Sequence, residues 1–140
     1  MRHHTIPRIV TKLLIPVILL FGLYVQFHGD FSAGGGFQAG VIFAAGFILY
    51  NIVFSLDVGR SILSVNTSKS LMAIGVILYA AVGFSGILLG GNFLEYNHLS
   101  NTPMSGQLLG VFLVELGVGL TVSNVMVLIF YSFNDISEET

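Results

Sequence analysis

Glu115 is the residue whose type and setting most clearly allow ion chemistry. It is a carboxylate with 19 uncharged residues on either side, back to Glu95 and forward to Asp135. An ionised acid at such a place in a lipid-embedded helix is costly by about 2.5 kcal/mol or more. It must face protein or water, carry a proton, or pair. One carboxylate that holds either H+ or Na+ is what a cation/proton exchanger needs. A lysine does not bind Na+, and a glutamine does not change charge. The other reading is a neutral or hydrogen-bonded packing group that ties its helix to a partner subunit. His28 is the second ion-pathway candidate. Imidazoles titrate near neutral pH, so His28, close to Asp30, has two readings: a relay for protons, or a hydrogen-bonded anchor for its loop. Asp30, and Glu95 with His98, read as surface polar groups. No metal-ligand spacing joins them. The chain has no Cys, which removes disulfides and thiolate metal sites. No organic cofactor is implied; Na+ and H+ would be cargo.

The elements that must position these groups follow from composition. The chain has 140 residues, 54% apolar and 9% charged, against roughly 25% charged in an ordinary soluble domain. Its mean hydropathy is +0.90. Between Asp30 and Asp57 lie 26 residues without a charge, and between Lys69 and Glu95 another 25. A membrane-spanning helix needs about 20. This is the pattern of an integral membrane protein. It excludes a soluble enzyme, a nucleic-acid binder and a disordered chain. Apolar windows predict four spans, at about 8–27, 37–56, 71–93 and 107–131. Lipid offers no water to the backbone, so each span must bond internally as a helix. The expected fold class is all-α, one transmembrane domain of four helices over residues 1–140.

Charge sets the expected orientation. The first span has a basic front (Arg2, Arg8, Lys12) but no small-residue cleavage site after it, so it reads as a retained helix rather than a signal peptide. Pro16 should bend it. The remaining basic residues, Arg60 and Lys69, lie between spans two and three. All five positive charges thus fall on one side, which the positive-inside rule assigns to the cytoplasm together with both termini. The acidic end from Asp135 reads as a short solvated tail.

Helical spacing sharpens the setting of Glu115. Val111, Glu115, Gly119 and Ser123 share one stripe, while Gly110, Gly117, Thr121 and Asn124 fall toward the other side. Both sides are small or polar, so this helix should sit between protein neighbours. Small-residue ladders recur at Gly36, Gly40 and Ala44, at Gly86 and Gly90, and at Gly106 and Gly110. They offer more close-packing faces than one chain needs, which implies a complex. Asn51 and Gln38 read as polar groups that bond between helices.

The most specific stretch runs from His28 to Gly40. Three glycines, Gly34, Gly35 and Gly36, precede a helix. They permit tight turning and close approach, and their amides with the helix N-terminus suit an anion or a carbonyl. No Gly-Lys-Ser/Thr follows, so this is not a nucleotide loop. The plain reading is a compact turn packed against protein. The stretch resembles the B subunit (MnhB/MrpB family) of multi-subunit Mrp-type Na+/H+ antiporters. That signature is close to His-Gly-x-x-Ser/Thr-Pro-Gly-Gly-Gly-Phe-Gln-Gly/Ala-Gly. His28, Gly29, Ser32, Gly34, Gly35, Gly36, Phe37, Gln38 and Gly40 match; Ala33 stands where proline is usual. The resemblance extends over essentially the whole chain. It implies a plasma-membrane subunit, not an enzyme, of a hetero-oligomer that exchanges cytoplasmic Na+ for external H+. Its partners would be the other subunits and membrane lipid, with no nucleic acid. The loop would shape the outer end of the ion route. The resemblance assigns no role to Glu115. Alternative settings are a non-conducting scaffold, an Mrp-like module of a membrane-bound hydrogenase-type complex, and a self-sufficient small proton-coupled transporter. The last type carries its key acid in the first helix, where this chain has none.

Overall fold

The computed structural model describes residues 5–29, 34–100 and 102–138. Four long helices and one short one form the chain: α1 (Thr5–Phe27), α2 (Gly36–Phe54), α3 (Leu56–Ile62), α4 (Val65–Leu88) and α5 (Pro103–Glu138), with a single 3-10 turn at Tyr96–His98. No strand occurs among the described residues. The four long helices are apolar and long enough to cross a membrane.

Local chemistry explains where the helices start and stop. Ser64 caps α4, its Oγ accepting the Thr67 amide at 3.1 Å, a standard way to satisfy a free first-turn donor. The helix therefore begins at Val65, not Leu71. It ends at Leu88 rather than Phe93, because Gly90 turns the chain at φ +90° and Phe93 folds back onto Gly83. α2 stops at Phe54 instead of continuing to Leu56, since Ser55 adopts φ +111°. Leu56 then opens α3, an element the hydropathy windows did not resolve. Its Asp57 lies in the first turn and Arg60 in the last, the arrangement a helix dipole favours. α1 begins at Thr5 rather than near residue 8 and runs unbroken through Pro16. α5 is longer than expected, starting at Pro103 instead of near residue 107 and passing residue 131 to reach Glu138. Asp135 is thus helical, not part of a solvated tail.

α5 is the central element. One face packs on α4 and another on α2, and α1 packs on α2 and also touches α5. Against α4, a Cβ on Gly117 would lie 2.8 Å from the Gly75 carbonyl oxygen. Thr121 sits in the same seam and donates to the Gly117 carbonyl at 2.9 Å. Against α2, a Cβ on Gly40 would lie 2.7 Å from the Gly119 carbonyl oxygen. Glycine is what lets these backbones touch, and lipid supplies no hydrophobic drive to replace that contact.

The molecule has two distinct ends. At the basic end, Arg8 and Lys12 stand over the Phe54 ring and α3 folds under the bundle. There Ala44, Val127 and Tyr131 form a small core, and the Tyr131 hydroxyl donates to the Leu63 carbonyl at 2.9 Å. At the other end, called the glycine end here, α1 finishes and α2 begins. The α4–α5 connection also lies there. Its Tyr96 fills the groove over Gly106 and Gly110, so that ladder receives a loop and not a helix. The Gly86–Gly90 ladder also does not form: Gly86 meets the backbone of Asn92 and Glu95, while Gly90 has nothing within 4 Å. Elsewhere the outer surface is apolar; Leu13 is 70% and Phe133 70% exposed, which suits lipid.

Candidate functional site

The structure brings Glu115 and the glycine loop together. α5 presents Glu115 toward the start of α2, and its carboxylate points along the helix toward the glycine end, as helical side chains do. A Cβ on Gly29 would lie 2.8 Å from both Oε1 and Oε2 of Glu115. One on Gly35 would lie 2.9 Å from Oε1. Gly36 stands against the Glu115 backbone itself, where a Cβ would collide with the carbonyl. Three glycines thus form the walls around one half-buried acid, and any side chain in their place would press on it. Gly35 has a second reason to be glycine, its φ of +131°, and its carbonyl accepts the Ala39 amide at 3.0 Å to start α2. Gly34 packs beside Val25. Gly40 lies one turn further, against Gly119 and Val122.

The remaining sequence candidates are placed differently. His28 follows the last residue of α1, its ring stacked on Tyr24 with centroids 4.3 Å apart, and the next residue, Gly29, borders the acid. Phe37 and Gln38 are exposed on the first turn of α2. Asp30, Ser32 and Ala33 lie outside the described residues, as does the His98 side chain. Glu95 is a loop clamp, its Oε2 accepting the Asn92 amide at 2.8 Å and the Asn92 side chain at 2.9 Å. Asn51 bonds within its own helix, donating to the Phe47 carbonyl at 2.8 Å, and does not link helices. Among the described residues no three His, Asp or Glu side chains gather around a common point. In the α4–α5 connection, burial and then the neighbouring Tyr79 hold the Tyr96 phenol above its ordinary value, so it stays neutral in the physiological range.

Position along α5 adds a scale. Glu115 and Asp135 are 20 residues apart, about 30 Å at 1.5 Å per residue, which matches the apolar thickness of a bilayer. Gly29, Gly35 and Gly36 stand at the level of Glu115, while α5 extends twelve residues further toward the glycine end, to Pro103.

Comparison with known proteins identifies the family. Residues 6–128 match the family described as a domain related to the MnhB subunit of Na+/H+ antiporter. The chain belongs to the MnhB family. Among its MnhB relatives is a chain of Staphylococcus haemolyticus, provisionally named antiporter subunit mnhB2, 35% identical over 133 residues that make up 91% of this chain and 92% of the relative. A Staphylococcus epidermidis relative with the same name is 35% identical over 128 residues, 89% and 90% of the two chains. One from Staphylococcus aureus strain Newman is 33% identical over 130 residues, 91% and 92%. With four apolar helices, this MnhB-family chain is a multi-pass membrane protein and a transporter component, not an enzyme.

One polar residue near the site escaped the sequence reading. Gln26, at the end of α1, is only 5% exposed. Its Oε1 faces Gly119, where a Cβ would stand 2.6 Å away. Its Nε2 has no hydrogen-bond partner among the described residues. The available signal was an amide inside an otherwise apolar run.

Proposed function

We propose that this chain is a small subunit of a hetero-oligomeric monovalent cation (Na+)/proton antiporter and that Glu115 is an exchangeable H+/Na+ site on the ion route. The observation that carries the reading is the Glu115 carboxylate enclosed by Gly29, Gly35 and Gly36. The glycines remove the Cβ atoms that would press on the carboxylate oxygens, which supports reading this acid as one that exchanges a proton for a small cation. The names of the family and of its relatives point to the same activity. Arg8, Lys12, Arg60 and Lys69 all lie toward the basic end, which by the positive-inside rule supports reading that end and both termini as the cytoplasmic side of a plasma-membrane protein. The glycine loop then shapes the outer approach to Glu115 and offers a docking surface for a neighbouring subunit, with His28 at its rim as a proton relay. In exchange, a proton arriving from outside binds the carboxylate as Na+ leaves it, and the reverse step restores the cation.

The test is Glu115→Gln in the purified, assembled complex. Antiport should fall to background with the complex intact, and Glu115→Asp should keep partial activity. Unchanged antiport in Glu115→Gln would make this subunit a non-conducting scaffold.

A further inference from the structure

The first turn of α2 carries a side chain that lies over the acid and has no structural task of its own. Gln38 is the third residue of α2, counted from Gly36. A glutamine at that position commonly reaches back to accept the amide of the cap residue. Gln38 does not; its side chain makes no hydrogen bond among the described residues. It leans toward the start of the helix, as helical side chains do, and brings its oxygen over Gly35. A Cβ on Gly35 would lie 2.9 Å from Oε1 of Glu115 and 3.6 Å from Oε1 of Gln38. The two oxygens are no further apart than those two distances laid end to end. Gln38 is exposed, so rotation about its own bonds can close the remainder.

The chemistry of a cation gives that oxygen a use. Sodium is a hard cation and is held by several oxygens, of which a carboxylate supplies only a pair. The start of α2 offers the opposite kind of group. Its first amides are donors, and the helix dipole there disfavours positive charge. The Gly35 carbonyl is already engaged, accepting the Ala39 amide at 3.0 Å. Gln38 Oε1 is therefore the acceptor that this end of α2 can add. Being neutral, it supplies an oxygen without a second acid to compete for the proton.

We propose that Gln38 is a cation ligand at Glu115: its amide oxygen and the carboxylate hold Na+ between them, over Gly35, and the amide lets go when a proton replaces the cation. The proposal rests on the reading of Glu115 as an ion site. The amide itself neither gains nor loses a proton.

The experiment titrates Na+ into the assembled complex and follows the carboxyl infrared change that Glu115→Gln abolishes. Gln38→Met keeps the length of the side chain and takes away its oxygen. The half-saturating Na+ concentration should rise about tenfold, while the change at saturation stays at its native size because the acid is untouched. Gln38→Asn keeps an oxygen on a shorter stem and should recover part of the affinity. In antiport assays the apparent KM for Na+ should follow the same order, with kcat near native. A native half-saturation in Gln38→Met, whatever the size of the change, would overturn the ligand role and leave Glu115 as the ion site. Loss of the subunit from the complex in both variants would also overturn it, making Gln38 a docking residue for a neighbouring subunit. If the native complex shows no Na+-sensitive carboxyl change that depends on Glu115, the ion site itself falls and the ligand falls with it.

Discussion

Glu115 and Asp135 lie on the same helix, about 30 Å apart, and their surroundings differ in kind. Asp135 sits at the basic end, paired with Arg60 from α3. That guanidinium also covers the Tyr131 ring, 5.2 Å from its centroid. Glu115 sits at the glycine end, bordered by three residues without side chains. The first acid is matched by a fixed cation of its own chain, which locks α3 against α5. The second is bordered by glycines, where any added Cβ would press on its oxygens or its backbone. The contrast is what supports the proposal that ions exchange at Glu115, while the basic end ties α3 to α5.

Substitutions can break this contrast from either side. The largest effect belongs to Gly36→Val. A β-branched side chain has no room against the Glu115 backbone, so overpacking should cost about 3 kcal/mol or more. The subunit should be lost from the complex on native gels; normal assembly would show that the α2–α5 crossing is looser than drawn. Gly29→Ala is subtler. Its methyl presses on both carboxylate oxygens, so assembly should persist while the apparent KM for Na+ rises by about tenfold, equivalent to about 1.4 kcal/mol. An unchanged KM would mean that the glycines do not define the ion's space. At the basic end, Tyr131→Phe removes one hydrogen bond and should lower thermal stability of the complex by about 1 kcal/mol with antiport kept. Asp135→Asn should have the smallest effect, below about 1 kcal/mol, because the pair it breaks is partly exposed. A strong transport defect in Asp135→Asn would erase the distinction between the two ends.

The same contrast shows what could be read from the residues alone. The four spans were legible because lipid forces long apolar runs, and the two faces of α5 were legible because glycine, threonine and serine recur at helical spacing. Glu115 and the glycine loop each stood out separately. Their meeting did not, since 75 residues separate Glu115 from Gly40 and nothing local reports a contact across α2 and α5. Helix ends were misjudged where a single backbone angle decides them. Ser55 looks like any polar residue, yet its left-handed turn ends α2 and creates α3. Gly90 has the spacing of a packing ladder, and its positive φ makes it a turn instead. Gln26 was hidden because one amide barely alters the hydropathy of α1, and its importance comes from being buried with an idle donor.

Difference infrared spectroscopy on the assembled complex tests the central claim most directly, because it reads the carboxyl group itself. The spectrum with Na+ minus the spectrum without it is recorded at a pH where the sites are protonated, for the native chain and for Glu115→Gln. If Glu115 exchanges H+ for Na+, Na+ removes a protonated-carboxyl band from the native complex, and that loss is missing in Glu115→Gln. Identical difference spectra from the two would contradict the assignment of ion exchange to this residue.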